Sequence, residues 1–496
     1  MKIYKYILEI AVFVCGAVVM IFELIGSRIL WPYFGTSIFI WTSLIGIILG
    51  SLSIGYYLGG KIADKKPSFK NLSSIILFAA IFIWIIILIK HPLISALQKN
   101  FTDIRIWSII AAIILFSPAS ILLGMVSPYA VKLKIDSLKT SWSTVGNLYA
   151  ISTAGSIIWT FLSGFYLIPH FGTNKLIIIL SITLVLISFS LYAKNLIKIR
   201  ISIIVIMITS RWMLNIINDF NQKNWFIDLD TTYNHISIYN SINTKTKDII
   251  RNFSINNDHS SAMFLNKDDL VHEYTKYYHL AKFFNPNFKT TLMLGGAWYS
   301  YPKDFLLKYP QATIDVVEID PMVTQIAKQY FNLKENPNLS IYHQDARVYL
   351  NNTQKKYDVI FGDAFSSIYS IPYQLTTKEA IEKEFNILND NGIVIQNIIS
   401  SIQWKKSQFL IAEYATYKEI FPQVYIFPVA DLKNVDNVQN IILVALKSKD
   451  KQTFDYTWSE FKEHLQHLWK EKINIDKPIL TDNYAPVDYY INNAIF

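Results

Sequence analysis

The sequence predicts an N-terminal α-helical polytopic membrane domain followed by a globular α/β half built on a parallel sheet. Three observations lead there. The 496 residues are 52% apolar and only 17% charged, against roughly 45–50% and 25% in a soluble domain. The excess is uneven: up to about residue 210 the chain is almost all Ile, Leu, Phe, Ala, Gly and Ser, and beyond it polar stretches alternate with short apolar runs. In the last part those runs follow one another as strand then helix, the pattern of a parallel sheet. This excludes a simple soluble enzyme and equally a protein that is membrane throughout. Three domains are expected: 1–212 helical and transmembrane, 213–268 a small β-strand domain, and 269–496 the α/β domain.

A hydrocarbon core about 30 Å thick needs about 20 apolar residues per helix. Such runs lie near residues 7–26, 38–60, 73–90, 104–128, 144–168 and 174–193. The first is too long and too continuous with the rest to be a cleaved signal peptide. A seventh candidate, Ile201–Thr209, is short and preceded by Lys198 and Arg200. Lys61, Lys65, Lys66 and Lys70 crowd one connection, Lys132, Lys134 and Lys139 another, and Lys194, Lys198 and Arg200 a third. All fall on one side with Lys2 and Lys5, which makes that side cytoplasmic. Six spans then leave the globular half in the cytoplasm, attached to a bacterial inner membrane; seven would export it. Glu23 and Arg28 read as an interfacial pair fixing the end of the first span, or as a polar site. Gly46, Gly50, Gly55, Gly59 and Gly60 read as close helix packing.

The net charge is +9, but the basic residues are spread along the chain without a block or zinc pattern, so the partner is a bilayer and not nucleic acid. The single cysteine, Cys15, cannot form an intrachain disulfide. His235, His272, His279 and His343 lie on different elements without ligand spacing, so no metal is expected.

In the globular half, WFIDLD, YNHISIYN and DIIRNFSINN (Trp225–Asn256) read as strands of a hairpin unit, and a helical pattern covers Leu270–Phe284. TTLMLGG, TIDVVEID, LSIYHQD and YDVIFGDAF follow as strands, with a helix opening at PMVTQIAKQYF and another near Thr377. GIVIQNII comes next, and QVYIFPVA and NIILVALKS are close enough to pair antiparallel. Ligands of such sheets bind beyond the carboxyl ends of the strands. There the polar residues fall in order: Gly295 and Gly296, then Glu318 and Asp320, then Asp345, then Asp363. Each suits an adenine nucleoside. The glycines let backbone approach the ligand, Glu318 accepts both ribose hydroxyls, and Asp345 accepts from the adenine amine. Neither a P-loop nor GxGxxG is present, so a nucleoside without phosphates fits best: S-adenosylmethionine or its decarboxylated form, as substrate and not as a resident cofactor.

On these residues the chain resembles the membrane-fused spermidine-synthase-like family. The resemblance runs from about Asp230 to Ser448 and adds LTDNYAPVDYY (Leu480–Tyr490), FELIGSRILWPYFGTSIFIWTSLIG (Phe22–Gly46), SPYAVKL and NLYAISTAGSIIWTFLSGFYLIP. It implies a Rossmann-like fold of the class I methyltransferase and spermidine synthase type after a β-hairpin domain. It implies Glu318, with Ile319, on the ribose, Asp345 with Ala346 around the adenine, and Asp363 as the catalytic aspartate; a homodimer is the family's habit. Three positions depart from the family's pattern. GGAWYS stands where aminopropyl transferases carry the acid of GGGDGG, Ser366 stands at the second acid after the catalytic aspartate, and Ser260 replaces a glutamine. A cationic diamine in a dry pocket needs carboxylates, and this site lacks at least two.

The favoured reading is therefore a lyase: the carboxylate of S-adenosylmethionine attacks its own γ-carbon, releasing 5′-methylthioadenosine and homoserine lactone, which needs positioning and dryness more than acid–base groups. Asp363 would grip the amino group, with Trp298, Tyr299 and Tyr274 as walls. The alternative is polyamine aminopropyl transfer; a methyltransferase and a non-catalytic sensor stand behind them.

Overall fold

The computed structural model describes residues 6–34, 37–100, 103–135, 141–192, 201, 227–231, 233–243, 246–256, 258–364, 371–403, 405–430, 432, 435–454 and 460–495. The chain divides into two compact units, Met1–Asn224 and Trp225–Phe496. The expected boundary at residue 212 and all of the seventh apolar run but Ile201 lie outside the described residues.

The first unit is helical: α1 (Ile7–Phe34), α2 (Ile38–Lys65), α3 (Phe69–Asn100), α4 (Ile104–Lys134), α5 (Ser141–Leu162) and α6 (Thr173–Leu191). A π-helical turn, Ser163–Leu167, and a last turn, Ile168–Phe171, extend α5. Among the described residues six helices are long and apolar enough to cross a membrane. Several run past the expected ends because polar residues such as Lys65 and Lys134 still belong to the last helical turn.

Bare lipid offers no hydrophobic drive between helices, so small residues and hydroxyls must hold them together. α2 and α4 meet where Gly59 and Gly124 leave room. A Cβ on Gly59 would stand 2.7 Å from the Met125 carbonyl oxygen, and one on Gly124 2.7 Å from that of Leu52. Ser43 pairs with Ser108 at 2.9 Å and Ser51 with Ser117 at 2.8 Å along the same seam. Gly55 belongs to it, but Gly46, Gly50 and Gly60 face open space, so only two of the five glycines serve packing. Glu23 and Arg28 form no ion pair with each other among the described residues; the Arg28 guanidinium lies over the Trp31 ring, 5.2 Å from its centre.

In the second unit a small antiparallel sheet comes first: β1 (Ile227–Asp230), β2 (His235–Ile242), β3 (Ile249–Ile255) and β4 (Asp258–Phe264), in that order. The fourth strand was not foreseen; the tight turn at Asn256, with φ at +50°, hides the break between β3 and β4. The expected helix over Leu270–Phe284 is a broken one, Glu273–Lys276, a 3₁₀ turn Tyr277–His279, and Leu280–Phe284.

The large sheet holds β5 (Thr290–Leu294), β6 (Thr313–Val317), β7 (Leu339–Tyr342), β8 (Tyr357–Gly362), β9 (Leu388–Ser400), β10 (Gln423–Pro428) and β11 (Gln439–Leu446). Its order is β10-β11-β9-β8-β5-β6-β7. β5 to β9 are parallel and β11 runs antiparallel to both its neighbours. This is the class I methyltransferase and spermidine synthase arrangement. Its strands are apolar on both faces because helices cover both sides: α7 (Ser300–Lys308), α8 (Pro321–Tyr330), α9 (Ala346–Asn352), α10 (Lys378–Ile387), α11 (Gln408–Ile420) and α12 (Val487–Ile495). Strand order reverses between β5 and β8, which is where such folds bind ligands.

The small sheet shares its unit with the large one, and several contacts join them, among them the Arg251 guanidinium donating to the Tyr330 carbonyl at 2.8 Å. Asp320 at the end of β6 accepts from the Thr231 hydroxyl and, at 3.2 Å, from Asn234 Nδ2, and Phe253 of β3 packs on Trp298.

Leucine at Gly124 would force α2 and α4 apart at a cost of about 1–3 kcal/mol, as overpacking does. Leucine at Gly50, with nothing opposite, should change stability by less than about 0.5 kcal/mol. Thermal unfolding in detergent separates the two, and equal effects would show that the seam is not where the helices meet.

Candidate nucleoside site

The site starts from a forced glycine. Gly295 leaves β5 with φ at +92°, its N–H donating to the Val317 carbonyl at 2.9 Å. A Cβ there would lie 2.5 Å from the Asp363 carbonyl oxygen. Only glycine accepts both the dihedral and the proximity, and so the turn after β5 is pressed against the end of β8 at the switch point.

Glu318, one residue past β6, is buried and engages the same turn. Its Oε2 accepts from Gly296 N–H at 3.0 Å and its Oε1 from Asp320 N–H at 2.9 Å. Burial pushes its carboxyl up to about 7; the backbone amides of Asp320, Gly296 and Ile319 pull against that, and the neighbouring Asp320 charge adds to it. Ile319 is exposed. Asp320 caps α8, accepting from Met322 N–H at 3.0 Å ahead of Pro321 at the first helical position.

The rest of GGAWYS is under backbone strain. Trp298 and Tyr299 have φ of +65° and +60°, each costing about 1–2 kcal/mol for a residue with a Cβ. Their side chains supply the restraint. Trp298 is fully enclosed against Phe253 and Phe331, its ring 5.2 Å from the latter, and therefore stands in the core and walls no open pocket. Tyr299 is buried beside Gly296, and its hydroxyl meets Thr324 Oγ1 at 2.6 Å.

Asp345 ends the loop after β7 and caps α9, accepting from Val348 N–H at 3.0 Å. Ala346 opens that helix, and both are partly exposed. The next residue, Arg347, was not foreseen: it donates to the Gln374 carbonyl at 2.8 Å and to Thr377 Oγ1 at 3.0 Å, and pairs with Asp482 at 2.6 Å. Asp482 belongs to LTDNYAPVDYY, so that motif clasps the helix Asp345 caps.

Asp363, buried, completes the set. Oδ1 accepts from Asn397 Nδ2 at 3.1 Å and Oδ2 from the Tyr274 hydroxyl at 3.3 Å. Tyr278, whose ring stands edge-on to Tyr274, faces the same carboxyl. Burial pushes Asp363 up to about 6, with these donors pulling against it. Asn397 is itself held by Asn440 at 3.0 Å. Sequence reasoning missed Asn397 and Tyr278; the signal for the first was a lone amide pair, Gln396–Asn397, inside the apolar run of β9. Ser366 lies outside the described residues. Among the described residues no three His, Cys, Asp or Glu side chains converge as a metal would need.

The fold thus brings Gly295, Gly296, Tyr299 and Glu318 together, sets Asp363 with Tyr274 against the same turn, and places Asp345 and Ala346 at the neighbouring strand end.

Residues 270–453 match the spermine/spermidine synthase domain. A polyamine aminopropyltransferase of Vibrio vulnificus is 33% identical over 172 residues, 34% of this chain and 54% of that protein. An eEF1A lysine and N-terminal methyltransferase of Xenopus laevis is 26% identical over 186 residues, 36% of this chain and 24% of that one. A solved structure of a probable spermidine synthase from Corynebacterium glutamicum aligns with a TM-score of 0.42 at 22% identity, over 48% of this chain and 85% of that one. The C-terminal part of the chain carries a spermidine synthase domain with polyamine aminopropyltransferases among its homologues; the chain spans about half of the Vibrio relative's length.

Carboxyls held above their unfolded range keep protons that the unfolded chain has lost. The share of stability carried by Glu318 and Asp363 therefore falls as pH rises from about 4 through their folded values, near 7 and 6. Buried Glu384, pushed up to about 8, acts in the same direction, so variants must isolate each share. Glu318→Gln should flatten the fall in melting temperature between pH 5 and pH 8 by an amount equivalent to about 3 kcal/mol. An unchanged slope would show that this carboxyl is not held protonated.

Proposed function

We propose that the C-terminal unit binds a sulfonium nucleoside of the S-adenosylmethionine kind and cleaves it to 5′-methylthioadenosine, transferring the aminopropyl chain of a decarboxylated donor to an amine. One observation carries this: Asp363, buried at the switch point beside Gly295 and poised near neutrality between Tyr274 and Asn397. A carboxylate with that poise suits a base. The amine nitrogen attacks the carbon next to sulfur, the C–N bond forms, and the C–S pair returns to sulfur to leave a neutral thioether. The proton shed by the new ammonium passes to Asp363. Glu318 and Asp345 would hold ribose and adenine. The spermidine synthase domain match and the names of the relatives support transfer.

A specific observation favours a second reading. The loop after β5 presents no acid, and its Trp298 is turned into the core, so in this reading Asp363 alone would meet an ammonium of the ligand. One carboxylate matches one ammonium, as in S-adenosylmethionine itself. Attack by that molecule's own carboxylate forms the C–O bond of homoserine lactone and breaks C–S without any proton transfer. The basic residues at one end of the helices support a cytoplasmic nucleoside unit in either case.

Product analysis decides. Protein in detergent is given S-adenosylmethionine alone, then the decarboxylated donor with putrescine. Spermidine with methylthioadenosine from the second mixture alone is the expected outcome, with a rate that rises with pH through about 6 as Asp363 loses its proton. Asp363→Asn should lower it by about 10²–10⁴-fold. Homoserine lactone from the first mixture would establish the lyase, S-adenosylhomocysteine with an acceptor a methyltransferase, and binding without turnover a sensor.

A further inference from the structure

On the sheet side Asp363 is met by two amides in series. Asn397 Nδ2 donates to Asp363 Oδ1 at 3.1 Å, and Asn397 Oδ1 accepts from Asn440 Nδ2 at 3.0 Å. β9 and β11 pair antiparallel with Asn397 opposite Ile442. Asn440, two residues before Ile442, therefore shares its face of the sheet and is the diagonal neighbour of Asn397. The Asn440 main chain is fixed independently of its side chain, since its carbonyl accepts from Val429 N–H at 3.0 Å. Asn397 is buried and Asn440 half-buried. With Tyr274 and Tyr278 of the broken helix, Asn397 makes up the polar side chains that bear on this carboxyl among the described residues.

An amide has one donor end and one acceptor end, and an ionised carboxylate can only accept. Asn397 could thus meet Asp363 in two ways. Its nitrogen suits the ionised carboxylate, whereas its oxygen suits only a carboxyl that still carries a proton. Asn440 decides between them. By donating to Asn397 Oδ1 it occupies the acceptor end and leaves the donor end for Asp363. A hydrogen bond given to the charged form of an acid favours that form.

We infer that Asn440 is a positioning residue for the reaction: it acts through Asn397 to turn a hydrogen-bond donor toward Asp363, and so favours the ionised carboxylate. The inference rests on the proposed function, in which Asp363 works in that form whether it takes a proton from an amine or grips an ammonium.

The test is the rate of methylthioadenosine release by the full-length protein in detergent at pH 5 and pH 8.5. The substrate is the decarboxylated donor with putrescine, or S-adenosylmethionine alone where only that is cleaved. Taking the ratio of wild-type to variant kcat/KM at each pH cancels the titration of the substrate itself. Asn440→Asp keeps the size of the side chain and turns its donor into an acceptor. It should be about tenfold slower at pH 5 and less than about twofold slower at pH 8.5. Asn440→Leu, which removes the donor without adding charge, should show the same pH dependence at roughly threefold. Asn397→Ala should show it too, and adding Asn440→Leu to Asn397→Ala should change nothing further, because the first residue acts only through the second. Equal slowing at both pH values, no slowing, or a double variant slower at pH 5 than Asn397→Ala would overturn the inference. Wild-type protein that releases no methylthioadenosine from either mixture would instead overturn the proposed function, and this inference with it.

Discussion

One buried carboxylate ties together the turn after β5 and the loop after β6 at the candidate site of the second unit. Glu318 holds the backbone of the turn after β5 with one oxygen and the start of the β6–α8 loop with the other. Through Gly296 it sets the turn that Gly295 presses onto Asp363; through Asp320 it sets the cap of α8, and the same cap reaches the small sheet at Thr231 and Asn234. Burying a carboxylate is unfavourable, and the backbone amide donors do not fully offset it. A ligand that brings two further hydroxyl donors would complete the compensation. The site is thus built with an electrostatic deficit at Glu318.

The two units are held by different physics. The second buries continuous apolar strands under helices, so its order follows from the hydrophobic effect. The first cannot, because its outer surface is apolar too, and it relies on close backbone approach at Gly59 and Gly124 with serine pairs beside them. Ser73 and Ser188 repeat the device between α3 and α6, each hydroxyl donating to the other's carbonyl.

Much of this was legible in the sequence, and the exceptions have physical causes. The six long apolar helices, the succession of parallel strands along the chain and the antiparallel pairing of β10 and β11 follow from hydrophobic runs and turn spacing alone. So does the alignment of Gly295, Glu318, Asp345 and Asp363 at strand ends. What periodicity cannot carry is where a side chain turns. Trp298 reads as a pocket wall from its place in the loop, yet a left-handed backbone aims it into the core. Glycines at 46 and 50 read like those at 55 and 59, and only the neighbouring helix distinguishes them. Tyr278, Asn397 and Asp482 join the site from elements far away in sequence, and no local pattern announces such meetings.

The pairing of Arg347 with Asp482 bears on how the protein is made. The two residues stand 135 positions apart in sequence. At about 5–20 residues per second the ribosome needs on the order of ten seconds to travel that distance. When that interval opens, the helical unit and the strands up to β7 have been made; while β8 to β11 follow, the helix that Asp345 caps still lacks its clasp. The clasp on the helix that Asp345 caps therefore forms late in synthesis, after all seven strands of the large sheet have been made.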